Sequence, residues 1–156
     1  MRSRFSFFSF LKILAQEIFW DGKEDPRVIP GKRVTHRNPK PKDILGMKGE
    51  SIAANWYQKK GYQILERNLR LPSCEIDLIA RKKGKLVFAE VKTRRDEGYA
   101  DPFTEVPPAR RNRMKRAKGE YLRWKRLPSG TQCRFDIMMI LLKDSDPKIK
   151  LVEDAF

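Results

Sequence analysis

The stretch EIDLIARKKGKLVFAEVKTR, Glu75 to Arg94, constrains the fold more than any other. Two runs rich in Ile, Leu, Val and Phe flank Lys83-Gly84, a dipeptide suited to a two-residue hairpin turn. That turn, or a four-residue loop over 82–85, sets Leu78 opposite Ala89, Asp77 opposite Glu90 and Glu75 opposite Lys92. Directly opposed residues share a sheet face, with Cβ atoms roughly 4.5–5.5 Å apart. Two carboxylates so placed repel, and Ile76, Leu78, Val87 and Phe88 beside them remove water. Either one carboxylate holds a proton at an elevated pKa, or a cation neutralises the pair.

The cation explains more. Carboxylate oxygens suit a hard ion such as Mg²⁺ or Mn²⁺, which keeps waters and shares its other positions with phosphate. Lys92 follows Glu90 by two residues, so it leaves the same face of the strand. An ammonium there can hold a phosphate oxygen, or orient and deprotonate an attacking water. Asp77 and Glu90 as metal ligands, with Lys92 beside them, describe a hydrolytic site for phosphodiesters. The same spacing also fits a plain surface salt bridge between Glu75 and Lys92. A three-residue turn would send the two carboxylates to opposite faces.

Charge narrows the partners. The 156 residues carry 35 Lys and Arg against 20 Asp and Glu, a formal net charge of +15. Such an excess favours polyanions, nucleic acid ahead of an anionic membrane. Arg110 to Arg126 holds nine Lys and Arg against a single acid, Glu120. Met114, Ala117, Tyr121 and Trp124 recur at helical spacing there and form an apolar stripe, better suited to core packing than to stacking on bases. Arg94, Arg110, Arg111, Arg113, Lys115 and Lys118 are the candidate nucleic-acid contacts. Glu50 opens the helical pattern GESIAANWYQKKG, where the helix dipole favours a carboxylate. The one histidine, His36, lies in the polar run THRNPKPK, which excludes histidine-dependent triads. Cys74 and Cys133 stand apart without a CxxC pattern, as reduced thiols of a cytoplasmic protein do.

Residues 1–45 form an extension. Phe7, Leu11, Leu14 and Ile18 give an amphipathic helix over 5–20, which packs on the domain or a partner, with peripheral membrane contact the weaker reading. It is too short to span a bilayer and lacks a small-residue cleavage site. Residues 21–41 contain four prolines and many charges and read as a linker. The compact part, 46–156, reads as helix, strand over 62–71, the hairpin strands near 74–81 and 85–93, helix over 107–126, a strand within 131–143 and a last short strand. The class is α/β in the order α-β-β-β-α-β.

Five segments carry a resemblance: GxKGE (46–50), GYQILERNLR (61–70), EIDLIA (75–80), LVFAEVKTR (86–94) and RFD (134–136). In this order and spacing they resemble the YraN family of bacterial proteins across residues 46–142. That family is similar to the PD-(D/E)XK nucleases, archaeal Holliday-junction resolvases in particular. The resemblance implies a restriction-endonuclease-like three-layer core with a mixed central sheet. It implies Mg²⁺ or Mn²⁺ on Asp77 and Glu90, Lys92 as the motif lysine, and Glu50 as the acid from the first helix. It also implies DNA rather than RNA as the nucleic acid, branched or structured DNA included, and a homodimer by analogy. Ile76 stands where the superfamily name has proline, Cys74 where the family usually has glycine, and Arg110 where a lysine is typical. A nucleic-acid-binding module that keeps the fold without cutting is the alternative.

Overall fold

The computed structural model describes residues 41–95, 105–142 and 146–156. The expected helix over 5–20 and the linker as far as residue 40 lie outside the described residues.

Helix α1 runs Pro41–Lys59, so it starts well before the expected Gly49. Pro41, read as linker, instead opens the helix, where its missing N–H would have no partner in any case. The helix stops where Gly61 N–H bonds the Gln58 carbonyl at 2.9 Å and Tyr62 N–H bonds the Tyr57 carbonyl at 3.0 Å. Then follow β1 (Gln63–Arg70), β2 (Glu75–Lys82), β3 (Lys85–Arg94), α2 (Pro108–Trp124), β4 (Cys133–Leu141) and β5 (Lys148–Val152). The strands form one sheet in the order β1-β2-β3-β4-β5. Only β3 and β4 run parallel, joined by the α2 crossover, so the sheet is mixed as expected. Among the described residues no helix is long and apolar enough to cross a membrane.

The hairpin turn follows from backbone stereochemistry. Lys83 and Gly84 have φ of 49° and 79°, the two left-handed positions of a type I′ turn. It sets the expected register from Lys82↔Lys85 to Leu78↔Ala89. In β3 successive side chains then alternate. Leu86 and Phe88 pack with Met114, Ala117, Tyr121 and Leu122 of α2, whereas Val87, Ala89 and Val91 pack with Ala53, Ala54 and Tyr57 of α1. Burial on both faces is why LVFAEV reads as a nearly unbroken apolar run. Trp124 departs from expectation: it is 39% exposed, and Leu122 takes the buried place instead. Lys125 lies 3.9 Å from the centre of the Trp124 ring. Glu120, the single acid of α2, accepts the Ser73 N–H at 3.1 Å and so ties the β1–β2 turn to the helix.

Two local features place α1 and β2. A Cβ on Gly49 would come within 1.8 Å of Thr93 Oγ1, so only glycine lets α1 approach β3 this closely. Farther across the sheet, β1 and β2 turn over together. Leu78 belongs to the α1 cluster, and its partner Arg67 donates to Ser51 of α1 at 2.9 Å. Two residues along, the pair Leu69↔Ile76 lies in the α2 cluster. Regular strands would keep both pairs on one face. The step between them holds Asn68, whose φ is 49°, and Asp77.

Candidate active site

Past Leu78↔Ala89 the β2–β3 ladder ends, and a cleft opens between the strands. Its volume is about 590 Å³, and Glu50, Asp77, Glu90, Lys92, Arg110 and Arg113 line it. Asp77 does not face Glu90 as a ladder partner, which corrects the regular register read from the hairpin. It sits at the turnover step, and its Oδ2 accepts the Val91 N–H of β3 at 2.7 Å. A side chain thus takes the place of a backbone acceptor and holds the parting strands together. Burial, then repulsion from Glu90, raises the Asp77 carboxyl to about 7, against the opposing Val91 hydrogen bond.

Glu90 is 2% exposed and carries two cations. Lys92 Nζ donates to Oε1 at 2.8 Å, while Arg110 grips Oε2 through Nε at 3.0 Å and Nη2 at 2.6 Å. Arg110 Nη2 also reaches the Glu75 carbonyl at 2.7 Å, fixing the first turn of α2 to the start of β2. The half-buried guanidinium is thereby committed within the cleft wall. Lys92 pairs with Glu90, and Glu75 pairs with Arg70 at 3.0 Å, so the surface bridge Glu75–Lys92 does not form.

Glu50 reaches the cleft from the other helix. Because α1 begins at Pro41, Glu50 lies in mid-helix and not in the first turn, so the helix dipole does not account for it. Burial raises its carboxyl, and a hydrogen bond from the Asn68 side chain partly offsets this. Four of the expected chemical groups, Glu50, Asp77, Glu90 and Lys92, therefore line one cleft.

The basic candidates divide. Arg113 is exposed on the cleft rim beside Arg110. Arg111 donates to the Val106 carbonyl at 2.8 Å and, with Lys115, lies over the Phe156 ring at 5.8 and 5.6 Å. Lys118 lies near Cys133, whose thiol burial raises and Lys118 lowers. Arg94 pairs with Glu105. The sequence reading passed over Asn68, Gly49 and Thr93. A residue tolerant of left-handed backbone in the middle of a strand pattern was the available signal for Asn68.

Among the described residues no three or more His, Cys, Asp or Glu side chains gather as a metal-binding group. The carboxylate oxygens facing the cleft belong to a pair, with two further acids on its wall. The profile of the Uncharacterised protein family UPF0102 matches residues 49–140, a span containing every cleft residue named above. The chain belongs to this family. Relatives agree over most of their length. A UPF0102 protein of Syntrophus aciditrophicus is 41% identical over 111 residues, 71% of this chain and 87% of that one. One from Syntrophomonas wolfei is 40% identical over 113 residues, 72% of this chain and 96% of its own. A third, from Lachnoclostridium phytofermentans, is 38% identical over 115 residues, 74% and 94% of the two chains.

Proposed function

We propose that this UPF0102 protein is a metal-dependent endonuclease that hydrolyses phosphodiester bonds of DNA, branched or otherwise structured, in the cytoplasm. The observation that carries the reading is the surplus carboxylate of the cleft. Glu90 is matched by Lys92 and Arg110, whereas Asp77 beside it is buried without a cation of its own. A Mg²⁺ or Mn²⁺ ion fits this donor set: hard oxygens from Asp77 and Glu90, with water and substrate phosphate completing its positions. Bound there, such an ion would offset charge developing on phosphorus and lower the pKa of water.

The protein's own groups do the rest. Lys92 is two residues from Glu90 and partly exposed, placed to hold a phosphate oxygen or accept a proton from the attacking water. Arg110 orients Glu90 by its forked contact. Arg113 at the rim offers the polyanion a first contact, and the cationic face of α2 extends it. Free thiols at Cys74 and Cys133 agree with a reducing compartment.

The test is a cleavage panel of linear, nicked, flap and four-way DNA with each divalent ion, alongside Asp77→Asn and Lys92→Ala. The reading expects Mg²⁺- or Mn²⁺-dependent cutting that both variants abolish. It also expects Mn²⁺ to raise the melting temperature of the parent but not of Asp77→Asn. Absence of cleavage on every substrate, or full activity in Asp77→Asn, removes it. The full occupation of Glu90 by two cations favours a second reading, a binding module that keeps the fold without cutting. DNA binding unaffected by chelation and by Lys92→Ala, with no cleavage, selects that one.

A further inference from the structure

We infer that the solvent face of α2 is a track for a nucleic-acid duplex: Arg113, Arg116 and Arg123 hold phosphates along it, and Gly119 lets the duplex backbone come close. The inference deepens the proposed function. It rests on nucleic acid being the ligand, but not on its being cut.

Spacing and pairing carry it. Met114, Ala117 and Tyr121 turn into the sheet, so Arg116, Gly119 and Arg123 fall on the opposite side of the helix. Arg113 joins them from the flank that borders the cleft. Other cations of α2 are already engaged. Arg110 holds Glu90, Lys125 pairs with Glu66 at 2.7 Å, and Arg111 and Lys115 lie at the Phe156 ring. Arg113, Arg116 and Arg123 are exposed and pair with no carboxylate among the described residues. The single acid of the helix could have changed that. Glu120 stands four residues after Arg116 and three before Arg123, the spacings at which helix ion pairs form. Ser73 occupies it instead: its N–H donates to one carboxylate oxygen at 3.1 Å and its hydroxyl to the other. The β1–β2 turn thus draws the neutralising group off the row, and three guanidinium groups face solvent uncompensated. Phosphates relieve such crowding.

Gly119 is an independent observation. Glycine inside a helix is less stable than alanine, so its presence asks for a reason. Gly49 has one in the closeness of Thr93. At Gly119 an added Cβ would meet only Arg123 Nη1, at 3.6 Å, which is ordinary contact. Nothing inside the fold requires the missing side chain. Between Arg116 and Arg123 it leaves a place where a phosphate chain can approach the helix closely.

The preference for a duplex follows from what the row lacks. Single strands are held largely by stacking their bases on aromatic side chains. Among the described residues the exposed large apolar side chains are Ile44 and Trp124, and Lys125 lies over the Trp124 ring. Arg113 to Arg123 spans about 15 Å at 1.5 Å per residue, the length of roughly four phosphates of one duplex strand. The row starts at the cleft, so a duplex arm lying on α2 leads its backbone there.

The experiment titrates the full chain and its variants against a labelled DNA duplex and the matching single strand by fluorescence anisotropy. It is run at several salt concentrations with chelator present, so that nothing is cut. Arg116→Ala with Arg123→Ala is expected to weaken duplex binding about tenfold and to lower the slope of log K against log salt by about two. Lys59→Ala with Lys60→Ala removes equal charge at the end of α1, on the other face of the sheet, and is expected to cost less than about twofold. Gly119→Ala is expected to melt about 3 °C above the parent yet to bind the duplex several-fold more weakly. Equal losses from the two double variants overturn the track, because net charge alone would then account for binding. So does tighter binding of the single strand, or a row that governs retention on phosphatidylserine vesicles and not on the duplex. Unchanged affinity in Gly119→Ala overturns the close approach. A parent that binds through the row and cuts nothing refutes the proposed nuclease and leaves the track standing. A parent that cuts, yet binds duplex equally well without the row, refutes the track alone.

Discussion

Asp77 is held in the fold against its own ionisation. Its carboxyl titrates near 7 in the native protein and in the ordinary acidic range once unfolded. Between about pH 4 and pH 7 the folded state therefore binds a proton that the unfolded chain has released, and stability falls as pH rises through that window. Asparagine removes the charge yet can still accept the Val91 N–H. Asp77→Asn should consequently melt above the parent at pH 8, with the gap closing as pH is lowered toward 4. Melts across that range check it, and a variant less stable at pH 8 would contradict the burial argument. Arg110 predicts the opposite. Its guanidinium and the Glu90 carboxylate are 18% and 3% exposed, and Arg110→Gln leaves a buried carboxylate with Lys92 alone. Breaking one side of such a pair costs about 3–5 kcal/mol. Arg110→Lys should retain part of this, since it keeps the charge but cannot bridge Glu90 and the Glu75 carbonyl together. Denaturant titration of the two variants measures the difference.

At the scale of the elements, α1 and β3 meet closely at Gly49. A methyl group on Gly49 would overlap Thr93 Oγ1, so Gly49→Ala must push the helix off the strand or force Thr93 aside. Such overpacking costs typically 1–3 kcal/mol, and Glu50, the next residue, would move with the helix. Pairing Gly49→Ala with Thr93→Ser should not restore stability, because the hydroxyl remains the nearest atom. Thr93→Ala should restore part of it, and melting of both double variants decides. How far the elements were legible follows from where the signals were local. The hairpin was readable because Lys83-Gly84 fixes turn and register within a few residues. The helix start was not, because Pro41 follows other prolines and the pattern says nothing of which one begins a helix. The Asp77 and Glu90 pairing was half legible. Both reach one cleft, yet the turnover that takes Asp77 out of the ladder depends on contacts with two different helices. The burial of Trp124 failed for a similar reason. Its spacing matches Tyr121, but as the last residue of α2 it stays exposed, with Lys125 over its ring.

For the molecule as a whole, charge is spread unevenly around α2. Arg113 borders the cleft, while Arg111 and Lys115 lie at the ring of Phe156. If DNA enters at the cleft, Arg113→Ala should weaken binding for all sequences and reduce the slope of log K against log salt by about one. Lys115→Ala should change that slope less; fluorescence titrations at several salt concentrations separate the two. The irregular backbone of β1 also bears on how the protein behaves when concentrated. Among the described residues β1 is an edge strand, and straight edges template the addition of strands from other chains. Here the register shifts between Ile64 and Glu66, and the backbone turns left-handed at Asn68. The strand is thus irregular at two points within eight residues. A kinked strand of this kind is a poor template for self-association into fibrils.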